Sequence, residues 1–256
     1  MMEVTFLGTG TSCGQPVLGC DCDVCRSTDP RDKRLRCSIM IETERTRLLV
    51  DCGPDFRQQM LKQPFRKIDG ILLTHIHYDH VGGIDDLRPY CSFGDIDLYA
   101  DEHVVKTMHH TLPYCFKENK YPGVPRLVFH TIKPHNQLRL GDIDVMPIEV
   151  MHGAMPILGY RFGKFAYITD IKTISDKEIP YLRGVKILVV NALRFEKEHH
   201  SHQLVSDAMD FAKRVGAERT LFIHSCHHIG CHEEVQKSLS KGFEMAYDGQ
   251  KIIVNS

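Results

Sequence analysis

The chain has 256 residues, 42% of them hydrophobic and 25% charged, an ordinary globular composition that suits one large domain over 1–256 without staples. A net charge of −1 announces no basic face and so weakens nucleic acid as the expected partner, without excluding a local patch. No apolar run nears the about 20 residues of a membrane span, and Met1-Met2-Glu3-Val4 has no secretion-signal pattern. The expected compartment is therefore the cytoplasm, with no membrane partner. Ten cysteines there argue for metal sites or buried thiols before disulfides, and sixteen histidines add to the supply of ligands.

Glu3 to Leu7 alternates and predicts a strand. The loop Gly8-Thr9-Gly10-Thr11-Ser12 lacks the Lys and spacing of a P-loop and is read as a turn near the site. Next, Cys20, Cys22 and Cys25 lie within six residues of a polar stretch. Three thiolates need one more ligand to close on a structural zinc. Arg26 to Arg36 is charged and is expected to be a solvated loop. Ser38 to Glu42 and Arg47 to Val50 predict strands. The second ends in Asp51-Cys52-Gly53-Pro54, where Asp51 suits orienting a metal-bound histidine. Asp55 to Lys62 predicts a short helix.

Ile68 to Leu73 predicts a buried strand that delivers Thr74-His75-Ile76-His77-Tyr78-Asp79-His80-Val81-Gly82-Gly83. Side chains of an extended segment alternate, so His75 and His77 face the same way and can grip one ion. Asp79 and His80 come after the turn and can reach a second. Gly82-Gly83 is expected to let the backbone turn tightly beneath. Imidazole and carboxylate together suit Zn²⁺, Mn²⁺ or Fe²⁺.

Gly83 to Arg88 is expected to be helical, Ile96 to Ala100 a strand, and Asp101 to His110 a helix capped by Asp101. Leu112 to Pro125 carries three prolines and predicts a covering loop, where Tyr114, Lys117, Lys120 and Tyr121 could meet an anionic substrate. Leu127 to Ile132 and Ile143 to Val150 predict strands joined through Gly141-Asp142. His152 follows the second and suits the first ion. Tyr160 to Phe162 and Phe165 to Thr169 predict a hairpin, with Asp170 placed to bridge two ions. Lys186 to Val190 predicts a strand, and Leu204 to Val215 a helix preceded by His199, His200 and His202. Thr220 to Ile223 delivers His224, a last ligand for the second ion, and then His227, a fourth ligand for the cysteine site. A helix from Glu233 to Leu239 and a hairpin through Asp248-Gly249 complete the chain.

In order, Asp51, His75-x-His77-x-Asp79-His80, His152, Asp170 and His224 resemble the ligand series of the metallo-β-lactamase superfamily. That resemblance implies an α/β fold, an αββα four-layer sandwich with two divalent catalytic ions, Zn or Mn, at one edge of its sheets. Cys20-x-Cys22-x-x-Cys25, Phe6-Leu7-Gly8-Thr9-Gly10, His224-x-x-His227 and Tyr247-Asp248-Gly249 are similar to the PhnP-type cyclic phosphate phosphodiesterases. By that resemblance His75, His77 and His152 hold one ion, and Asp79, His80 and His224 the other, with Asp170 between. Cys20, Cys22, Cys25 and His227 hold a structural zinc.

The resemblance further implies hydrolysis of a small phosphodiester, 5-phosphoribosyl 1,2-cyclic phosphate or a related cyclic nucleotide. Catalytic duty falls to His202 as general acid, with His200 as the fallback, and to Asp79 among the ligands. It also implies a homodimer. Two rival expectations are a tRNA 3′-processing endonuclease and a PqqB-like protein of pyrroloquinoline quinone biosynthesis. The chain shows no long basic Gly/Pro-rich insertion of the kind that grips tRNA, and its full ligand set argues against the second.

Overall fold

The computed structural model describes residues 1–119 and 121–255, so the expectation for Lys120 lies outside the described residues. In chain order the strands are β1 (Met2–Gly8), β2 (Ser38–Glu42), β3 (Arg47–Val50), β4 (Gly70–Leu72), β5 (Ile96–Ala100) and β6 (Leu127–Thr131), followed by β7 (Leu138–Leu140), β8 (Ile143–His152) and β9 (Met155–Phe162). Then come β10 (Phe165–Ile168), β11 (Ile187–Asn191), β12 (Arg219–Ile223), β13 (Phe243–Met245) and β14 (Lys251–Val254). The first sheet has the order β14-β1-β2-β3-β4-β5-β6 and the second β13-β12-β11-β10-β9-β8-β7. The helices are α1 (Asp23–Arg26), α2 (Phe56–Met60), α3 (Tyr78–Val81), α4 (Glu102–Thr111), α5 (Val205–Val215) and α6 (His232–Ser238).

Period-two alternation makes each sheet two-faced. Phe6, Ile39, Ile41, Leu48 and Val50 of the first sheet meet Val145, Tyr160, Phe165, Tyr167 and Val189 of the second in one buried cluster between the sheets. Met40, Leu49, Ile71 and Leu98 point the other way, under α2 and α4. Ile148, Ala166, Leu188 and Phe222 pack beneath α5 through Val205, Ala208, Phe211, Ala212 and Val215, spaced along one helical face. The result is helix, sheet, sheet, helix, as the ligand series implied.

Each sheet joins an antiparallel half to a parallel one, β3 to β6 in the first and β10 to β13 in the second. Carboxyl ends of parallel strands are where α/β sheets present functional side chains. Asp51, Leu73 to His77, Asp170 and His224 all follow such ends.

Several elements differ from expectation. β13 pairs with β12 and β14 with β1, so Asp248-Gly249 crosses between sheets and does not close a hairpin. Gly141-Asp142 joins β7 to β8, while β6 is the edge of the other sheet. β9 begins at Met155, because a long hairpin with β8 outlasts the apolar run at its far end. Ile84–Phe93 winds as a 3₁₀ helix with Pro89 inside it, a residue with no N–H to donate to an α-helical ladder. Arg26 to Arg36 is not a solvated loop, since Asp32 and Arg34 are buried. Arg34 Nη1 donates to Thr9 Oγ1 at 2.8 Å and to the Ala246 carbonyl at 2.6 Å.

Candidate metal centre

Leu73 and Thr74 extend β4, His77 caps the short α3, and Asp79 and His80 ride on its single turn. That turn can press against the Asp51–Pro54 corner only where side chains are missing. A Cβ on Gly83 would lie 2.0 Å from the Gly53 carbonyl oxygen, and one on Gly53 would lie 2.1 Å from that of Asp79. Close approach is therefore what Gly83 supplies. Its φ is −98° and that of Gly82 is −66°, so the tight turn here needs no left-handed backbone. Of the four described non-glycine residues with left-handed backbone, two belong to this site, Asp51 at φ 63° and His224 at φ 52°. Such positions cost on the order of 1–3 kcal/mol and collect at functional sites.

The expected ligands fall into two groups sharing Asp170: His75, His77 and His152 with Asp170, and Asp79, His80 and His224 with Asp170. His75 Nε2 is 3.0 Å from His77 Nδ1 and 3.7 Å from Asp170 Oδ2. In the second group Asp170 Oδ2 lies 3.3 Å from His80 Nε2 and 3.1 Å from His224 Nε2. Asp79 Oδ2 lies 3.3 Å and 3.4 Å from the same two nitrogens. Ligands about 2.0–2.1 Å from a tetrahedral zinc lie roughly 3.3–3.4 Å apart, so these edges fit ions of that size.

His80 Nε2 is buried without a hydrogen-bond partner of good geometry, an orphan that a cation between it and the carboxylates would satisfy. On three of the histidines the opposite ring nitrogen is occupied, while His224 Nδ1 is buried without a partner. His80 Nδ1 meets Asp51 Oδ2 at 2.7 Å, His75 Nδ1 meets Thr74 Oγ1 at 2.9 Å, and His152 Nδ1 donates to the Asp170 carbonyl at 2.8 Å. Each contact leaves Nε2 facing the site.

Burial opposes ionisation here, and the charges decide the rest. Burial would raise Asp170, but His224 and His80 hold it well below the usual carboxylate range. Burial would lower His80, but Asp170, Asp51 and Asp79 push it well above an ordinary histidine. Burial keeps His75 and His152 low, and so in the neutral form that ligates metal.

Cys20, Cys22, Cys25 and His227 form a third group, away from the first two. His227 Nδ1 is 3.3 Å from Cys20 Sγ, 3.3 Å from Cys22 Sγ and 3.6 Å from Cys25 Sγ. Zinc–sulfur bonds of about 2.3 Å predict edges of about 3.5–3.7 Å, so the group fits one zinc. The hydrogen bond to His227 brings Cys22 down to about 6, while burial pushes Cys25 up to about 11. A divalent ion removes that conflict by stabilising all the thiolates together.

A cleft of about 570 Å³ opens over the first two groups, lined by Ser12, His77, Tyr78, Asp79, His152 and His202 among others. His202 Nε2 points at Asp170 Oδ2 from 3.4 Å. His200 also lines the cleft, where its ring packs against that of His199, 4.5 Å away between centroids. None of the described residues of Leu112 to Pro125 lines this opening. Tyr114 instead donates to Asp85 at 2.8 Å, and neither Lys117 nor Tyr121 lines the cleft. Thr74 was not foreseen. Its backbone N–H and hydroxyl both reach Asp51, at 2.8 Å and 2.9 Å, so it ties together the supports of His75 and His80. The signal was its place between an apolar strand and the first histidine.

Fold and ligand groups together define the class, an αββα sandwich with a candidate dinuclear centre. Residues 46–225 match the family described as the beta-lactamase superfamily domain, and the chain belongs to the metallo-β-lactamase superfamily, on its PhnP branch. The structure described as a new diphosphatase from the PhnP family is 38% identical and superposes with a TM-score of 0.90 over 98% of this chain and 96% of that one. An octanoyltransferase of Porphyromonas gingivalis is 42% identical over 255 residues, covering 99% of this chain and 52% of that protein. The chain thus spans about half the length of that curated relative. Zinc-bound PqqB of Methylobacterium extorquens shares the fold, with a TM-score of 0.78 at 19% identity over 98% of this chain and all of that one.

Proposed function

We propose that the chain is a dinuclear, metal-dependent phosphodiesterase acting on a small phosphodiester, 5-phosphoribosyl 1,2-cyclic phosphate or a related cyclic nucleotide. The observation that carries this reading is the pair of ligand groups sharing Asp170, with a non-ligand imidazole, His202, aimed at the shared carboxylate. Two divalent ions, when bound, supply Lewis acidity toward a phosphoryl group and toward water.

The chain's own residues do the rest. His75, His77, His152 and Asp170 hold one ion, and Asp79, His80, His224 and Asp170 the other. Asp51 and Thr74 keep His80 and His75 turned inward. The cleft is of a size for a nucleotide-scale ligand. His202 gives its Nε2 proton to the departing alkoxide oxygen, a contribution of about 10²–10⁴ in rate for a placed general acid. Cys20, Cys22, Cys25 and His227 would hold a structural zinc that ties two loops together.

A second reading is cleavage of a diphosphate, favoured by the described activity of the PhnP-family structure 38% identical to this chain. Both bonds are P–O esters or anhydrides open to the same in-line attack, so a substrate panel separates them. Zinc- or manganese-reconstituted protein is tested on bis(p-nitrophenyl) phosphate, 2′,3′-cyclic nucleotides, phosphoribosyl 1,2-cyclic phosphate, a dinucleoside diphosphate and precursor tRNA. Turnover of the cyclic esters is expected. Preference for the anhydride would install the second reading, cleavage of the tRNA would install the endonuclease, and inertness toward all five would end both.

A further inference from the structure

Among the described residues, no carboxylate meets Nδ1 of the proposed acid, His202. Its Nδ1 instead meets His199 Nδ1 at 3.0 Å, and Ser201 Oγ lies 3.2 Å from both nitrogens. Two bare ring nitrogens repel at that distance, so one of them carries a proton. The backbone decides which one. The Ser201 N–H, which can only donate, points at His199 Nδ1 from 3.4 Å. His199 Nδ1 is therefore an acceptor, and the shared proton belongs to His202 Nδ1.

We propose that His199 is the positioning residue for His202, accepting its Nδ1–H and so fixing the tautomer and the ring direction that leave Nε2 facing the shared carboxylate. Neighbouring rings fix the plane of the His202 imidazole, with His224 stacked at 4.8 Å and 16° and His152 edge-on at 4.8 Å and 74°. Those contacts would tolerate a ring turned end for end. The His199 hydrogen bond does not, because a turned ring would offer it carbon. Burial, with His202 and His200 close by, holds His199 down to about 4, so its lone pair stays available across the neutral range. This rests on the reading of His202 as proton donor. In that step His202 starts as the imidazolium, the Nε2–H bond breaks, the alkoxide gains the proton as the P–O bond opens, and the neutral ring keeps its Nδ1–H against His199.

The test sets a poor leaving group against a good one in zinc-reconstituted protein. A 2′,3′-cyclic AMP alkoxide needs the proton, whereas p-nitrophenolate leaves bis(p-nitrophenyl) phosphate without it. For His199→Leu, kcat on the cyclic ester is expected to fall about 10–100-fold with KM unchanged, as for other partners that orient a working imidazole. Turnover of the nitrophenyl ester should hold. His199→Asn, whose Oδ1 can take the place of Nδ1, should restore most of the loss, and Ser201→Ala should match the parent. Ring ¹⁵N spectra should show His202 protonated at Nδ1 and lose that signature in His199→Leu. Equal losses on both substrates, no rescue by Asn, or a His202 ring protonated only at Nε2 would overturn the proposal. A loss in Ser201→Ala as large as in His199→Leu would transfer the role to the serine. If the parent turns over neither ester, the catalytic reading fails by itself, and the ring spectra still decide the tautomer.

Discussion

Asp51 touches no cleft surface, yet four contacts converge on it. It accepts from the Thr74 N–H and hydroxyl, meets His80 Nδ1, and its carbonyl accepts from Ser38 Oγ at 2.9 Å. Removing its carboxylate strands a buried His80 and frees its ring to rotate. Asp51→Ala is therefore expected to weaken the second ion's site by about 10–100-fold and the first, reached only through Thr74, by less, as read by calorimetric titration of metal into stripped protein. His202→Ala should do the reverse, keeping both ions by elemental analysis and losing most turnover of a cyclic ester. The histidines and aspartates were legible because each follows an apolar run, and strand ends put such side chains at one edge. Thr74 and the role proposed for His199 were not, because both depend on which ring nitrogen faces which neighbour, and spacing does not encode that.

At the scale of elements, the segment from Cys20 to Arg36 shows what local reading misses. Its charges look solvated, but they pair inside the fold. Arg34 Nη2 donates to His232 Nδ1 at 3.2 Å, and the His232 N–H donates to Asp32 Oδ1 at 2.7 Å. Burial, then Arg34 and Arg31, bring His232 down to about 4 from its ordinary 6.5. The unfolded chain thus binds a proton that the fold refuses, so this stability is whole above 6.5 and is lost as pH falls toward 4. The loss is about 3 kcal/mol at its limit, and His232→Asn should flatten that part of the urea-midpoint profile. Strand pairing was misread for a related reason. Asp248-Gly249 is a good turn locally, but the partners of β13 and β14 lie in different sheets, far along the chain. Within the same segment, Cys22→Ser should release about one zinc per chain and lower the urea midpoint. Full zinc content in that variant would show that the cysteine group is not a metal site.

Across the whole molecule, both candidate centres lie on the line between the two sheets. Asp51, His75, His77, Asp79 and His80 come from the first sheet, and His152, Asp170 and His224 from the second. The thiolate group repeats the pattern, with Cys20, Cys22 and Cys25 after β1 and His227 after β12. Bound ions would therefore close the sandwich as well as carry chemistry. An ion present at 100 times its Kd adds about 2.7 kcal/mol to stability, and each kcal/mol moves the Tm of a domain this size by about 2–4 °C. Chelation at neutral pH should then proceed in two stages. The histidine–carboxylate ions leave first, Tm falls by about 5–10 °C per site, and returning Zn²⁺ or Mn²⁺ restores it. The thiolate zinc needs a stronger chelator or acid, and its loss should expose the interior to proteolysis. A Tm indifferent to the first chelation would mean that the ligands of the two sheets are already held together by packing. The shared Asp170 would then carry no ion-dependent link between the halves.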